Sequence, residues 1–118
     1  MANNKQDIQE TSMGGEIIVL ITASSPDEAV KIGTALVDEH LAACVNIVPE
    51  VRSLFYWEGK TLDERETLLI CKSRLALMEK LVARVKALHS YSVPEVIALP
   101  IVAGSREYLD WMQDVTKE

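Results

Sequence analysis

The segment from His89 to Glu95 has the richest concentration of groups that could do chemistry, with the sequence His-Ser-Tyr-Ser-Val-Pro-Glu. It places an imidazole, a phenol and a carboxylate close together, and loops with such groups are common positions for binding sites. An imidazole with a carboxylate suits a divalent cation of borderline softness. His89 and Glu95 are therefore the candidate metal ligands. The competing interpretation is that they only cap the neighbouring helix and strand.

The other reactive side chains are isolated from one another in the sequence. Cys44 and Cys71 lie in apolar segments typical of strands, where a thiol usually packs as an inert group, so we expect two unpaired thiols. His40 falls at the end of a predicted helix, where a capping role is expected. No segment has the spacing His-x-x-x-His, Cys-x-x-Cys or a glycine-rich phosphate loop. We assign no catalytic residue and predict that the protein is not an enzyme.

The charge balance restricts the partners. The 118 residues include 12 basic and 18 acidic side chains, which give a formal charge of −6. A nucleic acid would need a basic face, so we expect no nucleic-acid partner. No apolar run is long enough to span a bilayer, so we expect no membrane partner. The polar start of the chain does not resemble a signal peptide, and we expect a cytoplasmic location.

The elements that must position these groups alternate in a recognisable order. Residues 16–23 form a largely apolar run typical of a buried strand, and the capping box Ser25-Pro26-Asp27-Glu28 begins a helix. Two strands, a second helix, a strand over residues 96–103 and a short final helix follow. This β-α-β-β-α-β order predicts an α+β, ferredoxin-like sandwich with an extra C-terminal helix. We expect one domain over residues 16–116, preceded by a disordered leader over residues 1–15.

The two middle strands form an unusually long hairpin. Apolar residues alternate over residues 42–57, Glu58-Gly59-Lys60 forms the expected turn, and residues 66–73 form the expected return strand. At ~3.3 Å per residue, the first strand would span ~53 Å. A compact domain of this size is only roughly 35 Å across. The hairpin should therefore project beyond its own domain.

The tip of this hairpin is aromatic, with Phe55, Tyr56 and Trp57 in succession. A projecting apolar ribbon promotes aggregation unless something covers it. Another copy of the same chain is the simplest cover, because symmetric assembly needs no second gene product. We therefore expect a homo-oligomer in which the hairpins shelter one another.

Five motifs in order resemble the CutA family of divalent-cation tolerance proteins. They extend from residue 17 to about residue 112, and they are Leu-Ala-Ala-Cys-Val-Asn-Ile at 41–47, Tyr-Trp-Glu-Gly-Lys at 56–60, Glu-Thr-Leu-Leu-Ile-Cys-Lys-Ser at 66–73, the segment 89–95 and Tyr-Leu-Asp-Trp at 108–111. The resemblance implies a tight homotrimer, similar in architecture to the PII signalling proteins, with hairpins that pair between subunits. It also implies a role in tolerance of divalent metals, with copper binding attributed to some bacterial members.

The chain departs from the family pattern at the expected metal site. Members usually have His-Pro-Tyr-Glu-Val-Pro-Glu in the loop, whereas Ser90 and Ser92 replace a proline and a glutamate here. Some copper-binding members have a cysteine and a histidine where this chain has Ile21 and Leu88. A single imidazole without a thiolate neighbour is at best a modest site for Cu2+ or another divalent cation.

Two functional hypotheses follow. The first is a homotrimer that binds divalent cations weakly through His89 and Glu95 and serves in metal homeostasis. The alternative is a PII-like sensor or scaffold that binds a small anionic or metabolite ligand in clefts between subunits. For that cleft the candidate residues are Lys72, Tyr91 and Glu95, with Trp57 as a wall.

Overall fold

The computed structural model describes residues 7–11 and 15–117. In chain order, its elements are β1 (Ile8–Glu10), β2 (Glu16–Ala23), α1 (Pro26–Asp38), β3 (Cys44–Trp57), β4 (Lys60–Arg74), a 3-10 turn (Leu75–Leu77), α2 (Met78–Leu88), β5 (Val96–Pro100), β6 (Ala103–Ser105) and α3 (Arg106–Val115). β2 to β5 form one antiparallel sheet in the order β3-β4-β2-β5. This is the ferredoxin-like arrangement that the element order predicts.

The hydrophobic core lies between the sheet and the two helices α1 and α2. Val19, Ile21, Leu69 and Cys71 point from the central strands towards these helices and are fully buried. At Gly33 of α1, an added Cβ would lie 3.2 Å from a Val45 methyl group, so the helix and sheet pack closely. We call this side of the sheet the helix face.

The opposite side, which we call the open face, is covered by none of the described helices along most of β2 and β5. Residues on neighbouring strands that are directly paired share a face, and Leu20 pairs with both Ile70 and Ile97. Ile97 and Leu99 of β5 are 52% and 50% exposed. One subunit thus leaves apolar side chains of its main sheet in contact with solvent.

The helix α1 begins where its capping residues predict. The Ser25 hydroxyl accepts a hydrogen bond from the Glu28 backbone N–H at 3.2 Å, and Pro26 occupies the first helical turn. The Glu28 carboxylate reaches one residue further back than in a regular capping box and accepts from the Ser24 backbone N–H at 2.9 Å. This small difference frees Glu28 for a second contact, described below.

The hairpin of β3 and β4 is longer on its return side than the sequence indicates. Glu58 and Gly59 form a two-residue turn with φ values of 50° and 82°, which is typical of a type I′ hairpin. β4 therefore begins at Lys60, whereas the return strand was predicted from residue 66. A bulge between Val48 and Val51 bends β3. The described residues extend 54 × 33 × 23 Å, so the predicted projection is confirmed.

The start of the chain also differs from the prediction. Ile8–Glu10 form β1, which pairs with β6 in a separate two-stranded sheet, although residues 1–15 were expected to be a disordered leader. The Thr11 backbone N–H donates to the Val102 carbonyl at 3.0 Å and extends the pairing. The predicted strand over residues 96–103 is divided after Pro100, which lies in an edge strand as expected. The rest of the expected leader, residues 1–6 and 12–14, lies outside the described residues.

Candidate functional site

His89 directly follows α2, and its ring is completely buried. Its Nε2 atom lies 2.7 Å from the Thr22 carbonyl oxygen, which only accepts, so Nε2 carries the proton and donates. Its Nδ1 atom accepts the Tyr91 backbone N–H at 3.0 Å. Both ring nitrogens are therefore used to fix the loop that follows α2 to the end of β2.

This geometry does not fit a metal ion at His89. A metal needs an imidazole nitrogen with a free lone pair, and here one nitrogen carries a proton while the other accepts a backbone hydrogen bond. Within residues 7–11 and 15–117, no three His, Cys, Asp or Glu side chains converge to hold an ion. Ile21 is part of the buried core, and Leu88 packs against it. His89 therefore holds the loop in place through its two ring nitrogens. This is a structural role, of the kind that the competing interpretation of a capping residue expects.

Glu28 is the second residue that holds this loop, and the sequence did not single it out as a site residue. Its carboxylate accepts the Ser90 backbone N–H at 2.9 Å, and it also lies 3.7 Å from His89 Nδ1. Partial burial acts to raise the pKa of Glu28. Hydrogen bonds from the Ser24 backbone and from Ser90 outweigh it and lower the pKa from 4.5 to about 2. The Glu28 carboxylate is therefore ionised in the folded protein, where it accepts a hydrogen bond from the loop.

Tyr91 connects the loop to the hairpin. Its hydroxyl donates to Glu66 Oε2 at 2.9 Å, and its ring lies 4.6 Å from the His89 ring. Burial raises the pKa of Tyr91 to about 12, together with the hydrogen bond to Glu66 and the negative charges of Glu66, Glu64 and Glu28. The phenol therefore remains a neutral hydrogen-bond donor.

A groove of about 710 Å³ lies between the hairpin and the loop, and we call it the hairpin groove. It brings together three of the predicted residues, Tyr91, Glu95 and Trp57. Phe55 lies beside Trp57 on the same side of β3, two residues away. Glu64 and Glu66 of β4 complete the wall, although the sequence pattern did not identify either of them.

Two predicted residues lie outside this groove. Lys72 is paired with Cys44 at the other end of the sheet, where its Nζ atom lies 3.9 Å from the Cys44 sulfur and donates to Asn46 Oδ1. Lys72 is therefore not part of the same cleft as Tyr91 and Trp57 in one subunit. Tyr56 is 72% exposed at the hairpin tip and does not line the groove.

The two cysteines are free, as expected. Cys44 pairs with Lys72 and Cys71 with Val45, so the two thiols lie on opposite faces of adjacent strands. Burial raises the pKa of the Cys71 thiol to about 12, which keeps it protonated and unreactive. This arrangement agrees with packing roles.

A model of the family described as CutA1 divalent ion tolerance protein matches residues 17–115 of this chain. The chain belongs to the CutA1 family. The predicted resemblance is therefore confirmed over nearly all of the folded residues. Relatives from Thermus thermophilus and Archaeoglobus fulgidus are named for tolerance of divalent cations.

Relatives of this CutA1 chain occur in bacteria and plants. The divalent-cation tolerance protein CutA of Thermus thermophilus is 52% identical over 101 residues, which cover 86% of this chain and 98% of that protein. A chloroplastic protein CutA of Arabidopsis thaliana is 48% identical over 101 residues, but these cover only 56% of its length. The chain thus spans nearly all of the bacterial relative and about half of the plant one.

Solved structures agree with the fold. A cation tolerance protein from Thermus thermophilus superimposes with a TM-score of 0.85 at 51% identity, covering 86% of this chain and 99% of that one. CutA1 from Oryza sativa gives a TM-score of 0.86 at 42% identity, covering 92% and 99%. The mixed α+β fold is therefore shared with these CutA1 structures. Within the residues described, no helix is long and apolar enough to cross a membrane.

Proposed function

We propose that this CutA1 protein serves in tolerance of divalent cations and does so as a homotrimer. The family match supports the first part, since the family model is described by that role and the Thermus thermophilus relative bears that name. The exposed apolar side chains of Ile97 and Leu99 on the open face support the second. So does the hairpin, which carries Tyr56 at its tip, 72% exposed. Copies packed around a common axis would cover these surfaces.

The metal contact in this proposal is weak and does not depend on His89. Cu2+ or another divalent cation is proposed to bind at exposed carboxylates, of which Glu95 is the candidate named by the sequence. A single carboxylate and water supply few ligands, so the ion exchanges rapidly. His89 supports this proposal only indirectly, by holding the loop that presents Glu95.

Calorimetric titration with Cu2+ tests this assignment in the native protein. We expect the His89→Gln variant to retain the binding heat and affinity, because a glutamine amide can still donate towards the Thr22 carbonyl. We expect Glu95→Gln to weaken binding about three-fold, as for an exposed charged pair. Loss of binding in a folded His89→Gln protein would contradict the proposal and restore His89 as the ligand.

A second candidate function is a PII-like sensor or scaffold that binds a small ligand. The observation that favours it is the hairpin groove, whose volume of about 710 Å³ lies in the range of small-molecule sites. In a trimer, a neighbouring copy would form the outer wall of this groove. Tyr91 and Trp57 remain its candidate contact residues. Lys72 lies outside the groove of its own subunit, so it would contribute only to a groove of a neighbouring subunit.

The cytoplasm is the proposed compartment. Two free thiols, Cys44 and Cys71, support it, because reducing conditions preserve unpaired cysteines. Relatives differ in this respect, since one plant protein is named chloroplastic and an Archaeoglobus fulgidus structure is titled periplasmic.

A further inference from the structure

The hairpin groove has more negative than positive charge. Its lining includes Glu64, Glu66 and Glu95 but a single cationic side chain, that of Arg52. The Arg52 guanidinium is already bound by both oxygens of Asp63, at 2.9 and 2.6 Å. The carboxylates of Glu64 and Glu95, in contrast, form no hydrogen bond or ion pair with any residue that the structure describes. The groove therefore offers carboxylates that have no cation of their own.

The pKa of the Tyr91 phenol is raised in part by this negative charge. After burial and the Glu66 hydrogen bond, the charges of Glu66, Glu64 and Glu28 all raise the pKa of Tyr91. Two of these carboxylates, Glu66 and Glu64, line the groove together with Tyr91. An anionic ligand would meet repulsion from these carboxylates, and a cationic one would be attracted.

Aromatic rings form a second feature of the groove that suits a cation. Phe55 and Trp57 are 38% and 44% exposed and lie on one side of β3, and Tyr91 lies across from them. The face of an aromatic ring attracts an ammonium group, and this attraction adds to that of a nearby carboxylate. Rings and carboxylates together are a recurring way to recognise organic ammonium ions.

The spacing of the carboxylates favours an extended ligand over a metal ion. Glu64 and Glu66 lie two residues apart on β4, which corresponds to roughly 7 Å along a strand. Glu95 belongs to the opposite wall. No three acidic, histidine or cysteine side chains converge on one point among the described residues. Leu62 and Val93 supply apolar surface in the same groove.

We propose that the hairpin groove binds a linear aliphatic polyamine. Its ammonium groups would lie at Glu64 and Glu95, and its methylene segments would lie against Phe55, Leu62 and Val93. This inference rests on the small-ligand role proposed above and specifies the ligand as cationic. It replaces the expectation of an anionic ligand, because Lys72, the basic residue on which that expectation depended, lies elsewhere.

Tryptophan fluorescence of the whole native protein tests the proposal with spermidine as the probe. A Trp111→Phe background leaves Trp57 as the only tryptophan, since the chain has two. We expect a saturable change in Trp57 emission on titration with spermidine at low salt. The double variant Glu64→Gln/Glu95→Gln should need about ten-fold more spermidine, because each exposed charge contributes about three-fold. A diol of similar chain length should produce no change.

The matched control is Glu107→Gln, an exposed glutamate on α3 that does not line the groove. It removes one negative charge from the whole protein, so it measures unspecific attraction of a polycation to an acidic surface. We expect its affinity for spermidine to equal that of the parent. Equal weakening by Glu107→Gln and by a single Glu64→Gln substitution would overturn the proposal.

Two further outcomes separate this inference from the role on which it rests. If spermidine has no effect but an anion such as citrate changes Trp57 emission, the groove is a ligand site and the cationic assignment is wrong. If neither the cation, the anion nor a screen of neutral metabolites changes Trp57 emission, both the inference and the small-ligand role are wrong.

Discussion

His89 illustrates how a residue with the right chemistry can serve a structural purpose. The sequence identifies the imidazole and its loop, and it leaves open whether the ring binds metal or holds the chain. The answer depends on the Thr22 carbonyl, which is distant in sequence and 2.7 Å away in the fold. Sequence spacing contains no information about that contact, because it arises only when β2 and the end of α2 come together. Glu28 escaped notice for the same reason, since its capping role was visible but its bond to Ser90 was not.

The depressed pKa of Glu28 predicts a dependence of stability on pH. The folded-state pKa is about 2, below the ordinary value of 4.5. The ionised carboxylate thus stabilises the fold above about pH 4.5, and this contribution is lost as the pH falls from there towards 2. We expect Glu28→Gln to reduce the free energy of unfolding by about 1–2 kcal/mol at neutral pH, allowing for solvent screening, and to flatten the decline below pH 4.5.

Urea unfolding between pH 2.5 and 7 measures this effect. Asp110→Asn on the exposed side of α3 is the control, because it removes a carboxylate that belongs to another element and is not bonded to the described loop. An unchanged pH profile in Glu28→Gln would show that the carboxylate does not hold the loop.

At the scale of elements, the order and type of the main strands and helices follow from hydrophobic periodicity and from the capping residues before α1. The first half of β4 was missed because Lys60 to Arg65 are mostly polar, and such a segment lacks the alternation that marks a half-buried strand. Cross-strand ion pairs support it instead, with Arg52 bound to Asp63 and Arg65 bound to Glu50 at 3.0 Å. β1 was missed because a three-residue strand is too short to leave a pattern.

The hairpin turn provides a test at this scale. Gly59 has a φ of 82°, which a residue with a side chain adopts only with strain. We expect Gly59→Ala to lower the free energy of unfolding by about 1 kcal/mol. Glu58→Asn should be neutral or stabilising, since asparagine is preferred at this position of a type I′ turn. Chemical denaturation compares the two, and equal effects would contradict the assigned turn type.

At the scale of the whole molecule, the described part of one subunit is elongated. Its radius of gyration is 15.9 Å, whereas a compact chain of this length has about 13.5 Å. The hairpin accounts for the difference, and the length of its first strand was predictable from the sequence pattern. The groove was not predictable, because it forms between a hairpin and a loop whose relative position depends on the hydrogen bond from Tyr91 to Glu66.

The open face predicts how assembly can be disrupted. We expect the double substitution Ile97→Glu/Leu99→Glu to dissociate the proposed trimer into smaller species, because it places charges where apolar side chains would meet another copy. Val30→Glu is the matched control, since Val30 is also 52% exposed but belongs to α1 on the other side of the sheet. Size-exclusion chromatography compares the three proteins. A trimer that survives the double substitution would mean that the open face is not the interface.

Sedimentation equilibrium of the native protein at micromolar concentration tests the central claim most directly. The claim is that one subunit leaves its open face and hairpin uncovered and that copies of the same chain cover them. We predict a single species with three times the mass of one chain, without dissociation over the concentration range. A stable, folded species with the mass of one chain would contradict the claim.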